Sequence, residues 1–436
     1  MSNVVQMVYR FDAELCKGST NDSDSFCLGS NPSSAAKKRA VLAALFFIIF
    51  SFTLLPYSYI IHLLLKLCFL EREIFMSRIV KIGIIGCGGI ANNKHMPSLS
   101  KLNNVQMVAF CDIILDRAIN AKNRFGTPDS KVYEDYHELL KDPEIEVVHV
   151  LTPNLEHAQI SVDALHAGKH VMCEKPMAKT AADAKRMLDA AKETGKLLTI
   201  GYQHRYKPQA AFAKKYINSG ELGDIYYVNC LALRRRGTPN WGVFLNEEEQ
   251  GGGPIIDIAT HSLDLTLYLM NNYEPEMVVG KTHKKIEHPE AGNPWGDNGV
   301  STTNLEDSAC AFIRMKNGAT IMLETSWALN TSEPVEEGSC VLCGSRAGLQ
   351  IKNNKLSINK VEFDRHTVTE VNTSAGGVAF YDGAQGSPSD IEAALWIKSV
   401  VENTQPVVLP EQAYVVSQIL EAIYTSSKTG KPVFFD

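Results

Sequence analysis

"IVKIGIIGCGGIA", residues 79–91, reads as a short β-branched strand that runs into a glycine turn and then a helix. An apolar run of this length suits a strand buried on both faces of a parallel sheet. The turn puts Gly86 and Gly88 at the first two positions of a G-x-G-x-x-G/A fingerprint and Ala91 at the third, with Cys87, Gly89 and Ile90 completing the loop. Gly86 permits the tight turn, Gly88 lets the backbone approach a pyrophosphate, and Ala91 allows close packing of helix on sheet. The phosphates would meet free N–H groups at a helix N-terminus. Asp112, 21 positions past Ala91 at the end of "VQMVAFCD", offers a carboxylate to the adenosine ribose hydroxyls. A 2′-phosphate there would meet a like charge, at a cost approaching about 4 kcal/mol at ~4 Å and an effective dielectric of about 20. NAD is therefore expected over NADP, with Arg117 placed to offset the repulsion.

The same alternation continues downstream. "RAINAKNRFG", "EHAQISVDALHAG" and "TAADAKRMLDAAKETG" have helical character, and "EVVHVLTP" and "HVMCEKP" are strand-like. Such alternation implies βαβ units and a doubly wound parallel sheet. Two strand ends then face the ligand crevice. Thr152, Asn154 and His157 of "LTPNLEH" form a polar cluster suited to the second ribose and the nicotinamide, although His157 also reads as a locally capped helix start. Glu174 and Lys175 of "CEKP" close the next strand, with Pro176 favouring an extended Lys175. After about residue 200 the rhythm changes to longer strands. Asn317-Gly318 marks a hairpin turn, and "PEQAYVVSQILEAIYTSSKTG" is a Pro-started, Gly-stopped helix. The second half is expected to be α+β, one open sheet with helices on one face.

"GGGPIIDIATHSLD", residues 251–264, places Asp257, His261 and Asp264 at i, i+4 and i+7 on one helical face after a flexible glycine approach. An acid beneath a histidine orients its ring and tunes its pKa for proton transfer from a hydroxyl. Asp264 is assigned to structure. "RRRGTPNWG" adds Arg234, Arg235 and Arg236, of which strand alternation aims one or two at the site unless they form a solvated face, and Trp241, a flat apolar wall.

With these motifs in hand, residues 78–436 resemble the Gfo/Idh/MocA oxidoreductases. The resemblance rests on the glycine loop at 86–91, "TPNLEH" at 152–157, "EKP" at 174–176, "GYQHRY" at 201–206, "GELGD" at 220–224 and the 251–264 stretch. It implies an α/β Rossmann domain followed by an α+β open-faced sheet domain, NAD or NADP as cofactor, and sugars, cyclitols or their derivatives as substrates. It also implies that Lys175 lies beside the nicotinamide, with Asp257 and His261 completing the catalytic set and Arg205 of "GYQHRY" on the substrate side. A reversible dehydrogenase is the leading function. An NAD-dependent glycosidase working by oxidation and elimination is the alternative, and an idle NAD-binding sensor is disfavoured by the intact catalytic set.

Residues 1–75 differ in kind and fall outside the family pattern. Residues 40–70 form an almost unbroken apolar run after Lys37, Lys38 and Arg39. Such a run is long enough to anchor the chain in a membrane. A cleaved secretory signal fits poorly, because its apolar core is only about 7 to 15 residues. The rival reading, which the composition of the later residues favours over the anchor, starts the working chain at Met76, since codons for Glu71, Arg72 and Glu73 can spell a ribosome-binding sequence just upstream. The 361 residues from Met76 carry 36 basic and 43 acidic side chains, a mildly acidic balance without the basic face that nucleic-acid binding needs. Ten scattered cysteines, several inside apolar runs (Cys87, Cys111, Cys173, Cys230, Cys310), suit a reducing compartment and hence the cytoplasm. The lone C-x-x-C pair, Cys340 and Cys343, lacks companion ligands, so no metal site is expected. The domains are expected at 76–200 for the cofactor and 201–436 for substrate and homo-oligomerisation, the latter through the second sheet's open face.

Overall fold

The computed structural model describes residues 78–373 and 386–435. The apolar run at 40–70, and the anchor reading attached to it, lie outside the described residues. Among the described residues no helix is long and apolar enough to cross a membrane.

Six parallel strands make the first sheet: β1 Val80–Ile85, β2 Val105–Cys111, β3 Lys131–Tyr133, β4 Val147–Val150, β5 His170–Cys173 and β6 Leu198–Ile200. Their order is β3-β2-β1-β4-β5-β6, so the winding reverses between β1 and β4. The crevice outside the carboxyl ends of those two strands is where such sheets bind ligands. β1 and β4 are apolar on both faces because helices cover both. Helices His157–His166 and Ala181–Thr194 supply Ala158, Ile160, Ala164, Met187 and Leu188 to one side. Helix Leu115–Phe125 covers the other, joined by Pro388–Glu402, which returns from the far end of the chain to bury Trp396, Ile397 and Val400 against Val80, Ile82 and Val147. Each such large side chain contributes roughly 1.5–3 kcal/mol when fully buried. This helix lies in the second half of the sequence and packs on the first sheet.

The second sheet has nine strands: β7 Ile225–Leu233, β8 Pro275–His283, β9 Ser308–Met315, β10 Thr320–Ser326, β11 Val335–Gly344, β12 Gly348–Lys352, β13 Lys355–Glu362, β14 Arg365–Val371 and β15 Val433–Phe434. The order is β14-β13-β12-β11-β7-β10-β9-β8-β15, antiparallel except for β7 with β10. Period-two alternation decides its faces. Val228, Cys230, Ile313, Ile321 and Leu323 are buried beneath helices Thr260–Met270 and Pro410–Thr429, while Tyr227, Asn229, Phe312, Met322 and Val341 on the other face stay partly exposed. The same alternation corrects the reading of Cys310 as buried. It points outward between Ala309 and Ala311 and is exposed.

The hairpin forms where expected, β9 to β10, with Gly318 at φ 87° in the turn. Two helical stretches differ from expectation. Ala91–His95, after the glycine loop, and Ile255–Ala259, which carries Asp257, are π-helical before they continue as α-helix. The wider turn changes where side chains land, and such segments recur at functional sites.

Candidate active site

Gly86 sits at φ 90°, and a Cβ there would lie 2.6 Å from the Leu151 carbonyl at the end of β4, so the loop closes onto the strand only as glycine. A Cβ on Gly88 or Gly89 would meet nothing within 4 Å. That open side is the room a pyrophosphate takes against the backbone. The Cys87 side chain turns inward, where burial and then the Asp112 charge push its thiol up to about 12. Its backbone N–H donates to Asp112 Oδ2 at 2.9 Å, and Ile114 N–H donates to Oδ1 at 2.9 Å. The carboxylate is thus held at the mouth of the loop. Arg117 Nη1 stands 4.0 Å from Oδ1 on a half-exposed side chain. Ile90 of the loop and Ile113, Ile114 and Leu115, which follow Asp112 in the chain, are exposed, an apolar shelf of the kind a flat ring can cover. Loop, carboxylate and shelf fit NAD.

His157, Asn154 and Glu174 take partners within the protein. His157 is enclosed, with Nδ1 2.8 Å from the Pro176 carbonyl and Nε2 2.9 Å from that of Thr152. Burial lowers its pKa although both carbonyls favour the charged ring, and the two contacts tie the Thr152 turn to Pro176. Asn154 Nδ2 donates to the Gln250 carbonyl at 2.9 Å and ties the same region to the approach of the Asp257 helix. Thr152 Oγ1 is enclosed without a partner. Glu174 is also buried. It accepts from Lys94 at 2.7 Å and contacts His95 Nε2 at 2.7 Å, and Lys94 reaches Glu392 at 2.9 Å on the returning helix. Burial opposes the Glu174 charge, but the Lys94 ammonium and the His95 contact outweigh it and hold the carboxyl well below its usual range. Glu174 also accepts from the Lys175 N–H at 3.1 Å, so this cluster backs the next residue instead of facing the cofactor.

Lys175, at the end of β5, reaches across to the π-helical stretch. Its Nζ donates to the Asp257 carbonyl at 2.9 Å and to Asp257 Oδ1 at 3.1 Å. Asp257 Oδ2 accepts from Trp327 Nε1 at 3.0 Å and lies 3.7 Å from Arg234 Nη1. The expectation that Asp257 orients His261 is therefore corrected: the carboxylate positions the lysine. His261 instead packs against His204, ring centroids 4.7 Å apart, with Tyr202 edge-on at 6.5 Å. Its Nδ1 is enclosed without a partner. Burial, then the charge of Lys175, holds its pKa well below the usual histidine value, so the ring is neutral. Burial pushes His204 down to about 3.

Arg205 does not reach the substrate side. Its guanidinium is fully enclosed and grips Asp264 through Nε at 2.9 Å and Nη2 at 2.6 Å, which also accounts for the structural assignment of Asp264. The glycines at 251–253 serve close approach rather than flexibility. A Cβ on Gly252 would fall 2.0 Å from Tyr424 Oη, and Glu306 accepts from Gly253 N–H at 3.0 Å and from Tyr424 at 2.7 Å. Of the three arginines, Arg234 faces the site, Arg235 is exposed, and Arg236 binds the Leu329 carbonyl and Asn330. Trp241 lies at the rim against Trp295, a residue the sequence reading passed over because a lone "NPWGDNG" loop carries no spacing signal. Lys94, His95, His204 and Trp327 were also missed, since only the fold brings them against Glu174, His261 and Asp257.

Residues 80–202 match the oxidoreductase family with an NAD-binding Rossmann fold, and residues 214–435 match that family's C-terminal alpha/beta domain. The chain is 32% identical over 362 residues to a D-glucoside 3-dehydrogenase of Escherichia coli K12, covering 83% of this chain and 99% of that one. It is 34% identical over 193 residues to an inositol 2-dehydrogenase of Salmonella typhimurium, covering 44% of this chain and 55% of that enzyme. Among solved structures, a levoglucosan dehydrogenase in complex with NADH superposes with a TM-score of 0.70 at 23% identity, covering 82% of this chain and all of that one. That likeness establishes the shared fold.

Proposed function

The chain belongs to the Gfo/Idh/MocA oxidoreductase family, and from that membership we propose that it reversibly oxidises a secondary hydroxyl of a sugar, cyclitol or derivative. The observation that supports this reading is the contact of Lys175 with Asp257 at the carboxyl end of β5, with the Lys175 charge near enough to lower the pKa of His261. Bound NAD supplies the hydride acceptor. His261, neutral and enclosed on its Nδ1 side, takes the hydroxyl proton. Lys175 donates a charge-assisted hydrogen bond to the same oxygen and stabilises the negative charge that develops there. Asp257, fixed by Trp327, holds the ammonium in place. Trp241 stands on the substrate side, and Asp112 selects NAD.

Residues 76–200 carry the cofactor and 201–436 supply the substrate side. The open face of the second sheet, with Phe312, Met322 and Val341, pairs with a second copy of the chain. The buried free thiols Cys87, Cys111, Cys173, Cys230 and Cys340 support work in the reducing cytoplasm. The test is to incubate the protein with NAD and a panel of sugars, inositols and glycosides, following reduced cofactor and released aglycone together. Reduced cofactor accumulating with the substrate is expected. Aglycone release without net cofactor reduction would replace this reading with the glycosidase cycle.

A further inference from the structure

The four tryptophans of the chain divide sharply. Trp327 and Trp396 are 1% and 2% exposed, whereas Trp241 and Trp295 are 48% and 45% exposed, on two different loops. The exposed pair pack edge to face, centroids 4.8 Å apart and planes at 80°, with Phe244 behind Trp241 at 5.6 Å. They form a corner with two open aromatic faces.

Half-exposed indoles on surface loops would ordinarily be left to move. These are latched. Asn240 Nδ2, on the Trp241 loop, donates to the Trp295 carbonyl at 2.7 Å and to that of Gly296 at 3.0 Å. Asn298 Nδ2 returns a bond to the Asn240 carbonyl, and Asn293 Nδ2 donates to the Thr238 carbonyl at 3.0 Å. Asn240 and Asn293 are themselves buried. Three amide side chains thus hold two apolar faces rigid while leaving them in water. The corner also touches the chemistry: Arg234 lies 6.0 Å over the Trp295 ring, and its Nη1 is 3.7 Å from the Asp257 carboxylate that binds Lys175. The wall begins one arginine away from the reacting group.

A rigid aromatic face gives large contact area at little entropic cost, and flat rings with apolar C–H or π faces are its complement. We propose that Trp241 and Trp295 form a subsite for a second ring, so that the preferred substrate is a glycoside. Its sugar is oxidised beside Lys175 and His261 while a flat aglycone ring, aryl or sugar, rests on the indoles. This rests on the dehydrogenase reading above. The reaction balances in the same way: the carbon loses hydride to NAD, the hydroxyl proton goes to His261, and a ketone forms with the glycosidic bond intact. Binding energy gained on the remote ring can then align the reacting carbon.

The experiment measures NAD reduction by the full chain with myo-inositol and with methyl, phenyl and glucosyl glucosides in both anomeric forms. The two-ring substrates should show kcat/KM at least about tenfold above the methyl glucoside, the equivalent of about 1.4 kcal/mol. That ratio should collapse toward one in Trp295→Ala and in Asn240→Ala, which unties the loops, and Trp295→Phe should restore most of it. Binding of a two-ring ligand should shield the exposed tryptophans from iodide quenching. A preference for phenyl alone identifies an aryl ring, and a preference for both identifies any flat ring. Oxidation of glucosides without a ring preference, or a preference that survives Trp295→Ala, overturns the subsite and leaves the dehydrogenase standing. Oxidation of inositol alone does the same. If nothing in the panel reduces NAD, the dehydrogenase reading falls and the subsite falls with it.

Discussion

At the residue scale, the chemistry depends on which group Asp257 serves. Because its carboxylate binds Lys175 and Trp327, Asp257→Asn should act through the lysine. His261→Ala and Lys175→Ala should each lower turnover by at least about 100-fold, the lower end of general acid–base contributions. NAD affinity should stay within a few-fold, since neither side chain contacts the loop or Asp112. In a double-mutant cycle Asp257→Asn should add little to Lys175→Ala and should add fully to His261→Ala. Additivity with Lys175 would return Asp257 to the histidine. At the other end of the crevice, Asp112 is locked by two backbone N–H groups with Arg117 already alongside. Wild type should prefer NAD by at least about tenfold, or about 1.4 kcal/mol. Asp112→Ser should narrow that gap mainly by improving NADP binding, as read by titration with both cofactors. Equal wild-type affinity for the two would show that the carboxylate does not discriminate.

At the element scale, the cluster of Lys94, His95, Glu174 and Glu392 joins the helix after the glycine loop, the end of β5 and the returning helix Pro388–Glu402. Lys94 is buried between two carboxylates, and their charges outweigh its desolvation and raise its pKa. Lys94→Met leaves Glu392 without its ion-pair partner and Glu174 with His95 and the Lys175 N–H, a loss of about 3–5 kcal/mol for a broken buried pair. Urea unfolding at neutral pH measures it. A loss below about 1 kcal/mol would mean that the cluster relaxes by admitting water. Part of this arrangement was legible: "EKP" marked the strand end and its lysine. The direction of Glu174 was not, because its partners Lys94 and His95 lie 80 and 79 residues away, and Lys94's second partner, Glu392, belongs to the last third of the chain.

At the scale of the whole molecule, folding buries several histidines in the neutral form. Burial holds His149 and His261 below the usual value, His170 falls to about 4 and His204 to about 3. Each folded-state pKa is depressed below the unfolded value of about 6.5. Their stabilising effect is therefore complete above about pH 6.5 and is lost as pH falls from there toward the folded-state values. Glu306, Glu392 and Asp264, pushed up by burial, work the other way closer to the carboxylate range. Tm should fall between pH 7 and 5, and a flat Tm across that interval would contradict the burial of these rings. The open sheet face makes a separate prediction. Phe312→Lys puts a charge on this face and should convert an assembled protein into monomer by sedimentation, with NAD binding intact. A wild-type monomer would remove this face as an interface.

What the sequence determined by itself was local: the strand, turn and helix of residues 79–91, the alternation that follows, the hairpin at Gly318, and the strand-end position of Lys175. Period, glycine conformation and capping act over a few residues, so neighbours in the chain suffice to read them. The fold class and NAD followed from those local signals. Tertiary structure alone decided which charged groups meet. It gave Asp257 to Lys175 instead of His261, withdrew Arg205 into a pair with Asp264, buried Glu174 and His157, and set Trp295 against Trp241 across 54 residues. A buried polar group must find its partner wherever packing places one, and a π-helical turn or a returning helix moves that place without any mark at the residue itself.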